Sequence, residues 1–155
     1  MEKIAIGSDH AGFAIKEALK KHLLEKGYDV ADFGTDSEAS CDYPDFAFQV
    51  ADCVAAKKAD KGVLICGTGI GMSMAANKVR GIRAAVVGDA FSAEATRSHN
   101  DANILCMGAR VIDEEKAKEF LDIFLSTPFS EGENHIRRIG KLERGRKPEG
   151  AASEQ

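Results

Sequence analysis

The sequence predicts an α/β protein: a three-layer αβα sandwich on a five-stranded, parallel, doubly wound sheet, Rossmann-like or flavodoxin-like, followed by a C-terminal helix. Three observations carry this. Five short apolar runs alternate with amphipathic stretches of helical period. Each pair of successive runs is far enough apart for a helix to cross over, which makes neighbouring strands parallel. The run at 62–66, GVLIC, is apolar without alternation, as a strand covered on both faces must be. The 155 residues suit a single domain, expected over 1–146, with a flexible, small and polar tail over 147–155.

The elements follow in order. Residues 3–7 (KIAIG) form a first strand. Over 14–26, Ile15, Leu19, His22 and Leu23 share one helix face, and Lys16, Glu17, Lys20, Lys21 and Glu25 face away. Gly27 is placed to cap that helix. A second strand spans 28–33. Ala47, Val50, Ala51 and Val54 mark a second helix, with Pro44 near its first position. After the 62–66 strand, a third helix starts near Ile70. Residues 82–87 and 103–107 are the last strands, with a short helix at 92–98 between them. Ala117, Phe120, Leu121, Phe124 and Leu125 stripe a fifth helix. Ile136, Ile139 and Leu142 mark a final one beyond Pro128.

Composition excludes several classes of function. No apolar run reaches the roughly 18 residues a membrane span needs. The N-terminus enters a strand directly, without the apolar segment of a secretory signal, so a cytoplasmic location is expected. Cys41, Cys53, Cys66 and Cys106 form no CxxC pair, which argues against a zinc ribbon and for free thiols in a reducing compartment. The balance of 21 Lys and Arg against 25 Asp and Glu, a net charge of −4 and no Trp disfavour nucleic acid as a partner. The charge is uneven: the acidic excess lies before residue 135, whereas 135–155 is basic.

In a sheet of this kind ligands sit beyond the C-terminal strand ends. The loop Cys66-Gly67-Thr68-Gly69-Ile70-Gly71 follows the most apolar strand and opens a helix. Its glycines allow close approach and the helix start offers N–H groups, so it suits an anion: a phosphate, a carboxylate or a developing oxyanion. The Walker A pattern is absent. A dinucleotide fingerprint fits poorly, because the spacing is GxGxG and the strand is the third, although Asp89 lies about 20 residues on. A tight turn with no ligand is the plain alternative. Cys66, at a helix N-terminus, is placed for its thiolate to act as base or nucleophile; Cys53 and Cys106 read as buried structure and Cys41 as an exposed loop residue.

Asp9-His10 ends the first strand, as a proton-moving pair or as a helix cap by Asp9 beside a solvated His10. His99-Asn100 closes the fourth helix. His22 reads as structural and His135 as exposed. Tyr43 starts the second helix, Arg110 follows the fifth strand, and Arg137, Arg138, Lys141, Arg144, Arg146 and Lys147 make the basic end.

Together these segments resemble the type B ribose-5-phosphate isomerases, in the sugar-phosphate isomerase family that includes the galactose-6-phosphate isomerase subunits. The resemblance rests on Ser8-Asp9-His10-Ala11-Gly12-Phe13, Asp32-Phe33-Gly34-Thr35, Asp42-Tyr43-Pro44, Ile65 to Ser73, Ala75-Ala76-Asn77-Lys78, Gly81-Ile82-Arg83-Ala84 and Ser98 to Asn103, in order over about residues 3–145. It implies an aldose–ketose isomerase working through an enediol(ate), without metal or organic cofactor. Cys66 would be the base and Thr68 would move a proton between oxygens. The N–H groups of Gly67, Gly69, Ile70 and Gly71 would stabilise the enediolate. Asp9 and His99 would open the furanose ring, Tyr43 and Asn100 would hold hydroxyls, and His10 and Arg110 would bind phosphate. It further implies a homodimer, or a dimer of dimers, with the last helix lending its basic residues to the partner's site. Met72 stands where some members carry a Glu base, which places the chain in the cysteine-dependent branch. Asn134 stands where the family usually has its first phosphate arginine; Arg138 matches the second, with Arg137 beside it. Allose 6-phosphate, galactose 6-phosphate and tetrose phosphates stay open as substrates. A non-catalytic nucleotide-binding module and a transferase with a cysteine nucleophile are the rivals of other classes.

Overall fold

The computed structural model describes residues 2–146 and 148–150; residue 147 and 151–155, most of the expected tail, lie outside the described residues. Five strands, β1 (Lys3–Ser8), β2 (Asp29–Asp32), β3 (Lys61–Cys66), β4 (Ala84–Val86) and β5 (Ile104–Gly108), form one parallel sheet in the order β2-β1-β3-β5-β4. The helices are α1 (Phe13–Glu25), α2 (Tyr43–Ala55), α3 (Ile70–Ala76), α4 (Ala90–Ser98), α5 (Glu114–Ser126) and α6 (Glu133–Arg144). The expected class holds. The order matches neither named relative fully: it is the flavodoxin arrangement with the last two strands exchanged.

The period-two alternation of the strands splits the apolar residues between two layers. Ile4, Ile6, Val63, Ile65, Leu105 and Met107 meet Leu19 and Leu23 of α1, Ala93 of α4, and Ala117, Phe120, Leu121 and Phe124 of α5. On the other face Ala5, Leu64, Cys66, Ile104 and Cys106 meet Val50, Ala51 and Val54 of α2 and Met72, Ala75 and Ala76 of α3. The edge strand β4 is shorter than the expected 82–87. Ahead of it the Arg83 N–H turns to the Asn103 side-chain oxygen (2.8 Å), and Asn77 brackets Ala84 through both its N–H and its C=O (2.8 and 2.9 Å).

Lys16 departs from the helix-face reading, which put it in solvent. Only 1% of it is exposed. Its Nζ donates to both Asp32 carboxylate oxygens (2.9 and 2.8 Å) and to Glu17 (2.8 Å), and it lies 5.4 Å from the Phe13 ring centre. A lysine can be buried this way because its charge is met at the end of β2. Burial opposes ionisation of Asp32, but hydrogen bonds from Lys16, the Gly34 N–H and Lys20 outweigh it and hold the carboxyl below its ordinary value.

Candidate active site

At the C-terminal edge of the sheet, glycines bring three loops together. Asp9 is buried; its N–H donates to the Ile65 carbonyl (3.2 Å) and its Oδ1 accepts from the Gly12 N–H (3.1 Å). A Cβ on Gly12 would lie 2.5 Å from the Ile65 oxygen, so only glycine lets this turn press on the end of β3. Gly12, not Asp9, is the α1 N-cap, and no side chain caps it. Asp9 is thereby held in place beside β3 with its second carboxylate oxygen left free of that turn.

His10 is not simply solvated. Its Nδ1 accepts the Cys41 N–H at 3.3 Å, which leaves Nε2 to carry the proton of the neutral ring. Cys41, expected to be an exposed loop residue, is half-buried with its Sγ 3.9 Å from the same nitrogen.

Cys66 ends β3 with 5% of its surface exposed, and its Sγ accepts the Gly69 N–H at 3.2 Å. Gly69 has φ +81°, and a Cβ there would sit 2.9 Å from the Met107 carbonyl carbon; the sulfur-facing N–H depends on both conditions. The Thr68 hydroxyl oxygen accepts the Ile70 N–H (3.2 Å). Arg110 donates its N–H to the Gly67 carbonyl (3.0 Å), and its guanidinium lies across Gly67. The Tyr43 ring packs on Gly71, where a Cβ would lie 2.7 Å from it. So Asp9, His10, Tyr43, Cys66, Gly67, Thr68, Gly69, Ile70, Gly71 and Arg110 share one edge. The two nearby sulfurs differ: burial, then the proximity of Cys66, pushes the Cys106 thiol far up, so it stays protonated, whereas Cys66 has a backbone donor. Asp89, the acidic residue of the dinucleotide reading, is occupied as the α4 N-cap, accepting from the Ser92 N–H at 2.7 Å.

The other expected residues lie at the opposite, N-terminal edge. His99 caps α4, which runs back against the strands, and Asn100 precedes β5. The six residues of β3 set the two edges about 17 Å apart. His99 and Asp9 therefore do not act together within one chain, and the ring-opening pair expected from the resemblance is divided between edges. What accompanies His99 is α6. The Ser130 N–H donates to the Ser98 carbonyl (3.1 Å), and the His99 and His135 rings stack at 4.4 Å with 10° between planes. Arg83 donates to the Asn100 carbonyl (3.0 Å) and the Asp101 carbonyl (2.8 Å) and pairs with Glu143 near the end of α6. His135, expected to be exposed, is half-buried. Loss of water contact, then His99 and Arg138, lower its pKa below the ordinary histidine value. Asn134, Arg137 and Arg138 are exposed, and Arg137 donates to the Asn134 oxygen at 3.2 Å.

Two clefts lie away from Cys66: one of about 660 Å3 beside Lys16, Asp32 and Phe46, and one of about 500 Å3 between the 77–85 segment, Asn100 and Leu142. Among the described residues no three His, Cys, Asp or Glu side chains gather as a metal ion would require. Sequence reading missed Cys41, His135 and Arg83 as neighbours of site residues, since they meet His10, His99 and Asn100 across 31, 36 and 17 positions of sequence.

The chain is similar to ribose-5-phosphate isomerase B of Escherichia coli, 48% identical over 139 residues that cover 90% of this chain and 93% of that protein. Among solved structures it is similar to a ribose 5-phosphate isomerase of Thermotoga maritima, at TM-score 0.90 and 52% identity over 93% of this chain and 99% of that one. It is also similar to a Mycoplasma genitalium ribose-5-phosphate isomerase B with bound ribulose-5-phosphate, at TM-score 0.88 and 44% identity over 92% and 94% of the two chains. The family model described as ribose/galactose isomerase matches residues 4–142, and the chain belongs to that family.

Proposed function

We propose that this chain interconverts D-ribose 5-phosphate and D-ribulose 5-phosphate, a step of the pentose phosphate pathway in the cytoplasm, with Cys66 as the base. The observation that carries the reading is the Cys66 sulfur held by the Gly69 N–H at the mouth of a glycine loop. The Cys66 thiolate takes the C2 proton of the open-chain aldose and returns it to C1. Charge moves to O1, where N–H groups of the loop from Gly67 to Gly71 stabilise it. Thr68 passes the proton of O2 to O1. The Mycoplasma genitalium relative with bound ribulose-5-phosphate supports this choice of substrate.

The working unit is a homodimer, each site joining the Cys66 edge of one copy to the His99 and α6 edge of the other. Tyr43 and Asn100 hold hydroxyls, and His10, Arg110, Arg137 and Arg138 hold the phosphate, with Asn134 beside Arg137. Two features support a second copy. A single chain separates its expected site residues by the length of a strand. Ile136 (52% exposed) and Leu142 (63%) on α6, and Ile70 (49%) and Met74 (63%) on α3, leave apolar surface uncovered. No described helix is long and apolar enough to cross a membrane.

The test is turnover of a panel of pentose, hexose and tetrose phosphates in deuterated water after exhaustive chelation. Highest kcat/KM for the pentose pair, solvent deuterium in the product and no loss with chelation are expected. A covalent adduct on Cys66, or micromolar affinity for NAD or AMP without turnover, would replace the isomerase with a transferase or a nucleotide-binding module.

A further inference from the structure

We infer that His135 is a positioning residue for ring opening: it holds His99 in the orientation that the cyclic sugar requires. The inference rests on the isomerase reading, in which His99 helps to open the furanose, and names a residue to which that reading gives no role. His99 sits at the last turn of α4, where its own backbone makes one helical bond, from its N–H to the Ala95 carbonyl (2.8 Å). A side chain at a helix end rotates freely unless something packs on it. Here the packing is a second imidazole, parallel within 10° and 4.4 Å away.

His135 is itself fixed. Its N–H donates to the Gly132 carbonyl at 3.0 Å, and its ring edge passes so near Gly132 that a Cβ there would lie 3.2 Å from Cδ2. The tie from Ser130 to the Ser98 carbonyl and the Arg83 link to Glu143 clamp both ends of α6 to the corner that carries His99. Stacking covers one face of the His99 ring and leaves its nitrogens at the edge, directed in the plane. That geometry suits proton transfer to a ring oxygen held by another copy. A neutral ring is the better spacer, and His135 is kept toward neutrality by lost hydration, His99 and Arg138.

Ring opening concerns the aldose alone. Ribose 5-phosphate enters as a furanose, whereas ribulose 5-phosphate has its C5 hydroxyl blocked and is already open. The test is His135→Ala and His135→Phe, each assayed for aldose-to-ketose turnover and for solvent-deuterium exchange into C1 of ribulose 5-phosphate. A general acid–base step is worth about 10²–10⁴-fold, and losing its orientation should remove roughly a tenfold share. His135→Ala is expected to lower aldose-to-ketose kcat/KM about tenfold while exchange into ribulose 5-phosphate stays near wild type. The two readouts differ because exchange goes only as far as the enediolate and back, without the ring, whereas net turnover passes through it. His135→Phe, which keeps a stacked ring, is expected to restore turnover. Equal losses of turnover and exchange, or no recovery with phenylalanine, would overturn the role of His135 alone. Wild-type enzyme with no turnover from either side would overturn the isomerase reading, and the inference with it.

Discussion

The two ends of the sheet prepare for the same ligand by different means. At the C-terminal end the centre is backbone N–Hs and short side chains, with His10, Tyr43 and Arg110 around it, locked by close-packed glycines: Gly12 against Ile65, Gly69 against Met107, Gly108 against the Thr68 backbone. At the N-terminal end they are long, charged or aromatic side chains on α6, every residue of which is exposed or half-buried, clamped to the sheet through Arg83 and Ser130. The first arrangement suits charge that develops during reaction, where fixed dipoles need no reorganisation. The second suits charge the substrate brings with it, a phosphate that long cations can follow. One edge is rigid and carries the single arginine Arg110 across Gly67, the other is adjustable and rich in arginine, and a sugar phosphate needs both.

The largest expected effect breaks the rigid edge. Cys66→Ala should lower turnover by at least about 10³-fold, since it removes the proposed base itself. The circular dichroism spectrum should be unchanged, because a small residue in the same buried place disturbs little. Activity within tenfold of wild type would remove Cys66 as base and with it the distinction between the edges.

Mixing two dead variants tests whether the edges belong to different copies. Cys66→Ala and His99→Ala are each expected to be inactive on ribose 5-phosphate. After subunit exchange, half of the dimers are mixed and each mixed dimer holds one intact site, so about a quarter of wild-type activity should return. If the two edges served one site within a chain, no mixture would recover activity.

Much of the rigid edge was legible before any coordinates, and the reason is local. A strand, a glycine loop and a helix in immediate succession place Cys66, Thr68 and Gly69 by chain continuity alone. The surroundings of His99 were not legible in the same way. Its edge follows from the parallel topology, since a helix joining two parallel strands ends at their N-terminal edge, but the His135 ring that packs on it comes from 36 positions away. Strand order had the same limit, because the exchange of β4 and β5 is decided by packing between distant segments. Lys16 looked like surface because it is charged, although its spacing of three and seven residues puts it on the face of Leu19 and Leu23; only the arrival of Asp32 from β2 makes its burial possible.

A smaller effect probes the adjustable edge. Arg138→Ala should raise KM about tenfold and leave kcat within a few-fold, because a cation on the phosphate acts equally in ground and transition states. Added salt should weaken binding by the wild type more than by the variant. A loss confined to kcat would place Arg138 at the reacting carbons and make the cationic edge part of the chemistry.

The smallest effect on turnover belongs to the charge pair beneath the rigid edge. Asp32→Asn imitates the protonated carboxyl and leaves buried Lys16 with Glu17 as its remaining acidic contact. Breaking such a pair costs about 3 kcal/mol of unfolding free energy at neutral pH. Turnover at 25 °C should stay within twofold, since Lys16 and Asp32 touch none of the loop around Cys66. The pH dependence separates charge from shape. Asp32 has its folded pKa below its unfolded one, so its contribution is fully present above the ordinary aspartate range and is lost as pH falls through the folded value. The gap between wild type and Asp32→Asn in urea unfolding should therefore be constant from pH 8 to about pH 5 and narrow progressively as pH falls below the ordinary aspartate range. A gap that does not narrow there would mean that the asparagine fails by its fit. In that case the rigid edge would rest on the packing of β2 against α1, with the buried charge contributing little.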